Sequence, residues 1–329
     1  MIIRLFKNNL TSSVLFVPLF AIVLWIFGFL HPVAVVTKNT MPLFELFCRA
    51  TGKYPLLHTI IAMFLVIIEA FYISNIIEKH NILLKKSNFP ALVYVVLMSS
   101  CKLFLTLHPM LVANLFVLMS VDKILSSYHK DEAFSQVFDA GFCIGIASLF
   151  YFPAIVLFPV VWVGLIVIRT FVWREWIISF IGLIIPYLFV LAFYFWWDKL
   201  DFFLLDKIFY PSSDAKYSIS NEPLSFIILS VVLVGIIALS FLKLLNGLPV
   251  NTILSRNVLI VFIWMMALSG IAFFMAPVLN LRYFSFMAIP LTIYVSNYFL
   301  TTKKNWWAEL LFLSLVIVII CNDLLYVVK

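Results

Sequence analysis

Two ionisable residues stand inside apolar runs, where a charge is costly enough to mark a functional group. Glu69 lies midway along Val66-Ile-Ile-Glu-Ala-Phe-Tyr72, and Lys102 lies within Ser99-Ser-Cys-Lys-Leu-Phe104. They are expected to form an intramembrane polar pair: either a buried salt bridge between neighbouring helices, or the substrate or proton site of a transporter. A third group is Glu45, the only carboxylate between His31 and Pro55, with Arg49 four residues on as a helical partner. Two His-Pro pairs, His31-Pro32 and His108-Pro109, end apolar runs. Without a carboxylate pair or an HExxH spacing they do not read as a metal site. Asp122 with Lys123, and Asp131 with Glu132, read as a solvated rim. The sequence has no phosphate-binding loop, dinucleotide fingerprint or nucleophile elbow, so no cofactor is predicted.

The elements that must position these groups are membrane helices. Hydrophobic residues make up 65% of the 329 residues and charged residues 11%. No soluble domain of this length hides that much apolar surface, and a bilayer is the solvent that accepts it. Eleven apolar segments are predicted, near 13–30, 56–77, 90–107, 110–126, 136–151, 153–169, 175–197, 224–242, 257–276, 283–300 and 306–327. The fold class is therefore an all-α polytopic transmembrane bundle forming one integral domain over 1–329, with 9–11 full spans. Two pairs, 90–126 and 136–169, are short enough to be half-crossing hairpins. Either reading leaves the sidedness of later segments unchanged.

With a cytoplasmic N-terminus, the inner side carries thirteen Lys and Arg and the outer side eight, with Lys102 inside a segment. That asymmetry favours this orientation and gives the net charge of +7 a topological role rather than a nucleic-acid one. Arg4 and Lys7 precede the first run as in a signal peptide. The run is long enough to span and no A-x-A site follows, so it is expected to be a retained helix. Cys48, Cys101, Cys143 and Cys321 are scattered without a CxxC pair, which argues against a disulfide framework or thiolate metal site.

Two external loops stand out. In 31–55, Met41 to Arg49 is amphipathic and suited to the membrane interface. In 198–223, five acids alternate with aromatic residues. Trp196-Trp197 and Trp306-Trp307 fall at segment ends, where indole rings favour headgroups. Gly141 and Gly145 give a GxxxG spacing that permits close helix packing.

Three stretches carry a family likeness: Leu107-His-Pro109; Gly141-Phe-Cys-Ile-Gly-Ile-Ala-Ser-Leu-Phe-Tyr-Phe-Pro153; and Arg282-Tyr283 followed by Ile289-Pro290. In order and spacing over about 56–300 they resemble glycosyltransferases of the C superfamily, membrane enzymes that use polyprenyl-phosphate sugars. The resemblance implies a first span, an external loop with an interfacial helix, and then a bundle in the bacterial inner membrane. It implies Glu45 as catalytic base, with Arg282, Tyr283 and His108 binding substrate and Arg282 holding the lipid phosphate. That superfamily places an acidic residue, usually Asp, in this loop; here only Glu45 is available, and the usual paired acids are missing. The chain also resembles a group of polytopic membrane proteins of Bacteroidota, a likeness that implies no activity.

Three functions follow. One is sugar transfer from a polyprenyl-phosphate donor in envelope glycan or lipid assembly, or a degenerate relative of such an enzyme. Another is a non-enzymatic subunit that docks an envelope or secretion partner through 198–223. The third is a transporter using Glu69 and Lys102. The lipid bilayer is the partner common to all, and none involves nucleic acid.

Overall fold

A computed structural model describes residues 11–35, 40–52, 54–83, 87–128, 130, 132–197, 224–247, 253–275, 284–302 and 305–328. Among them the regular structure is entirely helical. The helices are α1 (Thr11–Leu30), α2 (Pro42–Thr51), α3 (Pro55–Lys79), α4 (Phe89–Met98), α5 (Pro109–Leu125), α6 (Phe134–Phe150), α7 (Pro159–Ile168), α8 (Trp173–Trp196), α9 (Leu224–Gly247), α10 (Ile253–Met275), α11 (Phe284–Thr301) and α12 (Asn305–Val328). Short 3-10 turns lie at Lys102–Phe104 and Phe152–Leu157. Each predicted apolar segment is occupied by one of these helices or by a helix and a turn, and α2 is the expected amphipathic helix. Among the described residues, five stretches are long and apolar enough to cross a membrane: α3, α8, Leu254–Ala272 of α10, α11, and Trp306–Leu324 of α12.

Proline starts several of these helices, because its missing N–H costs nothing in a first turn. Pro42, Pro55 and Pro109 all stand at that position. Gly52 adopts φ 75°, a left-handed conformation open to glycine, and lets the chain turn from α2 into α3.

Burial runs as a bilayer requires. The centre is α4, all of whose residues are buried, packed against α11. Around this pair lie α1, α3, α5, α9 and α10, with α12 against α1 and α9, and α6, α7 and α8 forming a flank. The perimeter is apolar: Leu15, Phe189, Val231 and Val234 are each more than half exposed. Trp196 and Trp306, at segment ends, are 85% and 73% exposed, consistent with headgroup contact. Inside sit Glu69, Asn114 and Ser285, with no exposed surface. The interior is mostly apolar as well, with a minority of buried polar side chains, so apolar residues face both the core and the perimeter, as helices in a bilayer allow.

Consecutive segments alternate in direction. At one end, Lys79 Nζ meets Asp122 at 2.9 Å, Arg169 Nη1 donates to the Ser127 carbonyl at 2.6 Å and Asn257 to the Val167 carbonyl at 3.0 Å. Ser255 donates to the Asn81 carbonyl at 2.9 Å and Lys243 Nζ to Thr302 Oγ1 at 2.8 Å. At the other end, Trp25 Nε1 donates to Ser99 Oγ at 3.0 Å, and Asn114 Nδ2 to the Ser285 carbonyl at 3.0 Å. The Phe104 and Phe284 rings stack there at 6.4 Å. This second end also holds α2.

The flank is held by the expected glycine crossing. A Cβ on Gly141 would lie 2.1 Å from the Ser179 carbonyl oxygen, one on Gly145 2.6 Å from that of Leu183, and one on Gly182 2.4 Å from that of Phe138. Backbones of α6 and α8 therefore touch directly, as small residues allow.

Candidate functional site at the break between Met98 and Pro109

The third apolar segment was expected to run unbroken to 107, but α4 stops at Met98. Ser99 Oγ and Ser100 Oγ turn back to the carbonyls of Val95 and Leu97, each at 2.7 Å, offering the backbone an alternative to further helix. Cys101 is extended, Lys102–Phe104 forms the 3-10 turn, and His108 is extended ahead of Pro109, the conformation a residue before proline prefers.

Into this break opens a cavity of about 200 Å³. Its walls are Ser100, Cys101 and Phe104 of the break, Leu233 and Val234 of α9, and Phe284 of α11. Val234 is 64% exposed, so the cavity reaches the apolar perimeter of the bundle. It is large enough for a stretch of hydrocarbon chain and too small for a whole lipid. Two further voids, of about 10 Å³ each, hold at most a water molecule.

The predicted site residues divide around this break. Glu45 accepts from Arg49 at 2.6 Å, and the pair sits near Tyr194 at the end of α8. The Glu45 side chain is 20% exposed and that of Arg49 77%, so the acid is largely covered while its partner reaches solvent. Cys48, one turn on, is buried against the bundle, and burial pushes its thiol up to about 11. Arg282 and Tyr283 lie outside the described residues, immediately before Phe284, which lines the cavity. His108 is completely buried and works as the N-cap of α5, its Nδ1 accepting the Leu111 N–H at 3.1 Å. That bond fixes the neutral tautomer with its proton on Nε2.

The expected pair of Glu69 and Lys102 is not formed. Tyr94 Oη donates to Glu69 Oε2 at 2.5 Å. Lys102, carried by the 3-10 turn rather than a helix, acts electrostatically on Asp323 of α12. The unwinding after Met98 moves Lys102 off the helical face that would have met α3. Asp323 was legible as an acid within the last apolar run.

A second ion pair was missed. Arg169 and Glu175 meet at 2.8 Å with side chains 5% and 2% exposed. Beside them Trp162 Nε1 donates to Ser179 Oγ at 3.1 Å, and the Trp162 and Trp176 rings stack at 5.3 Å. Arg169 reads in sequence as a topology signal, and only its spacing to Glu175 across the Ile168–Trp173 connection hints at pairing. Asp122 is likewise more than a solvated rim: Lys79 and His80 each reach it at 2.9 Å and Tyr72 at 3.4 Å.

Among the described residues no group of three His, Cys, Asp or Glu could hold a metal ion. The cavity wall offers hydroxyls and a thiol, with no nucleophile–base pair among its lining residues. The chemistry it supports is the holding of an apolar chain. No family model matches the chain, and no curated protein or solved structure matches it.

Proposed function

We propose that this chain is a multi-pass protein of the bacterial inner membrane that acts on a lipid-linked substrate at its outer face. In this reading the N-terminus is cytoplasmic, and the end holding α2 and the Met98–Pro109 break faces outward. The reaction is sugar transfer from a polyprenyl-phosphate donor, of the glycosyltransferase C type, in envelope glycan or lipid assembly. The observation that carries the proposal is the cavity between the break, α9 and α11, open to the apolar perimeter and bordered by the residue two positions after Arg282. A hydrocarbon chain enters from the bilayer, and the Arg282 guanidinium holds the phosphate left at the interface. Glu45, on the interfacial helix at the same end, accepts the acceptor's proton once its exposed Arg49 partner swings aside.

The test compares Glu45→Gln and Arg282→Ala with wild type at equal protein level in isolated membranes, measuring consumption of a labelled polyprenyl-phosphate sugar. Both variants should lose turnover. Wild-type turnover in both would remove the transferase reading.

A further inference from the structure

The interior of the bundle, from the middle of α3 towards the end that holds α2, has a polar group that neither the cavity nor the proposed reaction uses. Glu69 of α3, Tyr94 of α4, Asn114 of α5 and Ser285 of α11 are all completely buried. They are linked: Tyr94 Oη donates to Glu69 Oε2 at 2.5 Å, Asn114 lies beside the Tyr94 hydroxyl, and Asn114 Nδ2 donates to the Ser285 carbonyl at 3.0 Å. Three of their atoms, Glu69 Oε1, Asn114 Oδ1 and Ser285 Oγ, have no protein partner. A buried polar atom left unmatched has given up water without replacement, at a cost that grows when the group is charged. Three such atoms on residues joined by one run of hydrogen bonds, one of them on a carboxyl near the middle of α3, point to a further partner.

Basic side chains do not supply it. Lys79 and His80, at the end of α3, are engaged by Asp122 of α5, which Tyr72 of α3 also reaches. His108 caps the start of α5. Lys102 acts on Asp323 of α12. From α4 the titratable group on Glu69 is Tyr94, and α11 contributes Tyr294, whose hydroxyl turns to the Leu259 carbonyl. Water would satisfy the orphan atoms but leave the carboxylate charge uncompensated in an apolar surrounding. The donors are all oxygen, the hard set that suits small hard cations, and the cluster brings one carboxyl, which a single positive charge balances. A divalent ion would leave an excess charge in a medium that penalises it.

We propose that Glu69, Tyr94, Asn114 and Ser285 form an oxygen-lined site for one monovalent cation, a proton on Glu69 or a sodium ion held by Glu69, Asn114 and Ser285. The site lies near the middle of α3, reached by four helices whose relative positions its occupancy can bias.

The experiment uses the full chain in nanodiscs and takes infrared spectra and thermal unfolding in NaCl and in KCl at matched ionic strength. Proton occupancy gives a protonated carboxyl band in wild type that shifts in Tyr94→Phe and vanishes in Glu69→Gln, with the two salts equivalent. Sodium occupancy gives no such band in NaCl but a Tm several degrees higher than in KCl, a difference that Ser285→Ala reduces and Glu69→Gln abolishes. An ionised Glu69 with no salt preference overturns the proposal and assigns the cluster to water. Should Glu69→Gln fail to fold, the wild-type salt comparison and the Tyr94→Phe and Ser285→Ala variants decide among the same outcomes.

Discussion

Gly141→Ala tests the packing that holds the flank of the bundle. The added methyl would sit 2.1 Å from the Ser179 carbonyl oxygen and 3.0 Å from its carbon, both backbone atoms that no rotamer can move. Reaching the 3.4 Å of ordinary contact requires α6 and α8 to part by about 1.3 Å at this point. The neighbouring approaches, Gly145 to Leu183 and Gly182 to Phe138, share the crossing and would open with it. Overpacking costs roughly 1–3 kcal/mol, and a backbone clash belongs near the upper figure. Alanine returns about 1 kcal/mol of helix propensity, leaving a net loss of about 2 kcal/mol. By the scaling for domains of 150–250 residues this is roughly a 4 °C fall in apparent Tm. Gly235→Ala is the control: nothing lies within 4 Å of its added methyl, so only the propensity gain of about 0.5–1 kcal/mol remains. Scanning fluorimetry of purified protein should show opposite signs for the two variants. The double variant Gly141→Ala/Gly182→Ala should lose less than the sum of its parts, because one parting of the helices relieves both clashes. Equal Tm values for Gly141→Ala and Gly235→Ala would refute the direct contact of α6 and α8.

Breaking the buried Arg169–Glu175 pair by Glu175→Ala should cost about 3–5 kcal/mol, because it strands a guanidinium inside the bundle. The double change Arg169→Met/Glu175→Leu should recover much of that loss in the same unfolding assay, and a double variant no better than the single would contradict it. Cys48 supplies a pH test in a variant retaining it as the only cysteine. With its thiol near 11, the reactive thiolate stays scarce at neutral pH, and maleimide labelling should keep accelerating with pH beyond the point near 9 where an ordinary thiol levels off. A labelling rate that plateaus by pH 9 would mean that Cys48 is solvated.

The extents of the helices were legible because hydropathy and chain length decide them. Most observed helix limits fall within about four residues of the predicted apolar runs. The break at Met98 was not legible, since Leu103, Phe104, Leu105 and Leu107 keep hydropathy high while Ser99 and Ser100 redirect hydrogen bonds. Hydropathy counts apolar mass and is blind to a hydroxyl competing for its own backbone. The pairing of Glu45 with Arg49 was readable because both lie one turn apart on a single helix. The partner of Glu69 was not: Tyr94 passes as one more aromatic residue in an apolar run, and only the packing of α3 on α4 brings its hydroxyl to the carboxyl. The cavity escaped for a similar reason. Half of its wall is α9, more than a hundred residues from Phe104, and no local pattern records that meeting. The Gly141–Gly145 spacing announced a close contact, but not that its partner would be the backbone around Ser179 and Leu183.

The most direct test of the account is photocrosslinking in proteoliposomes with a polyprenyl phosphate carrying a photoreactive group in its chain, followed by peptide mapping. Lipid held in the cavity gives adducts concentrated on Ser100–Phe104 and Leu229–Ile237, suppressed by Val234→Trp, which fills the mouth of the cavity. Adducts spread evenly over perimeter helices such as α8, unchanged by Val234→Trp, would contradict it and leave the cavity without a role in binding lipid.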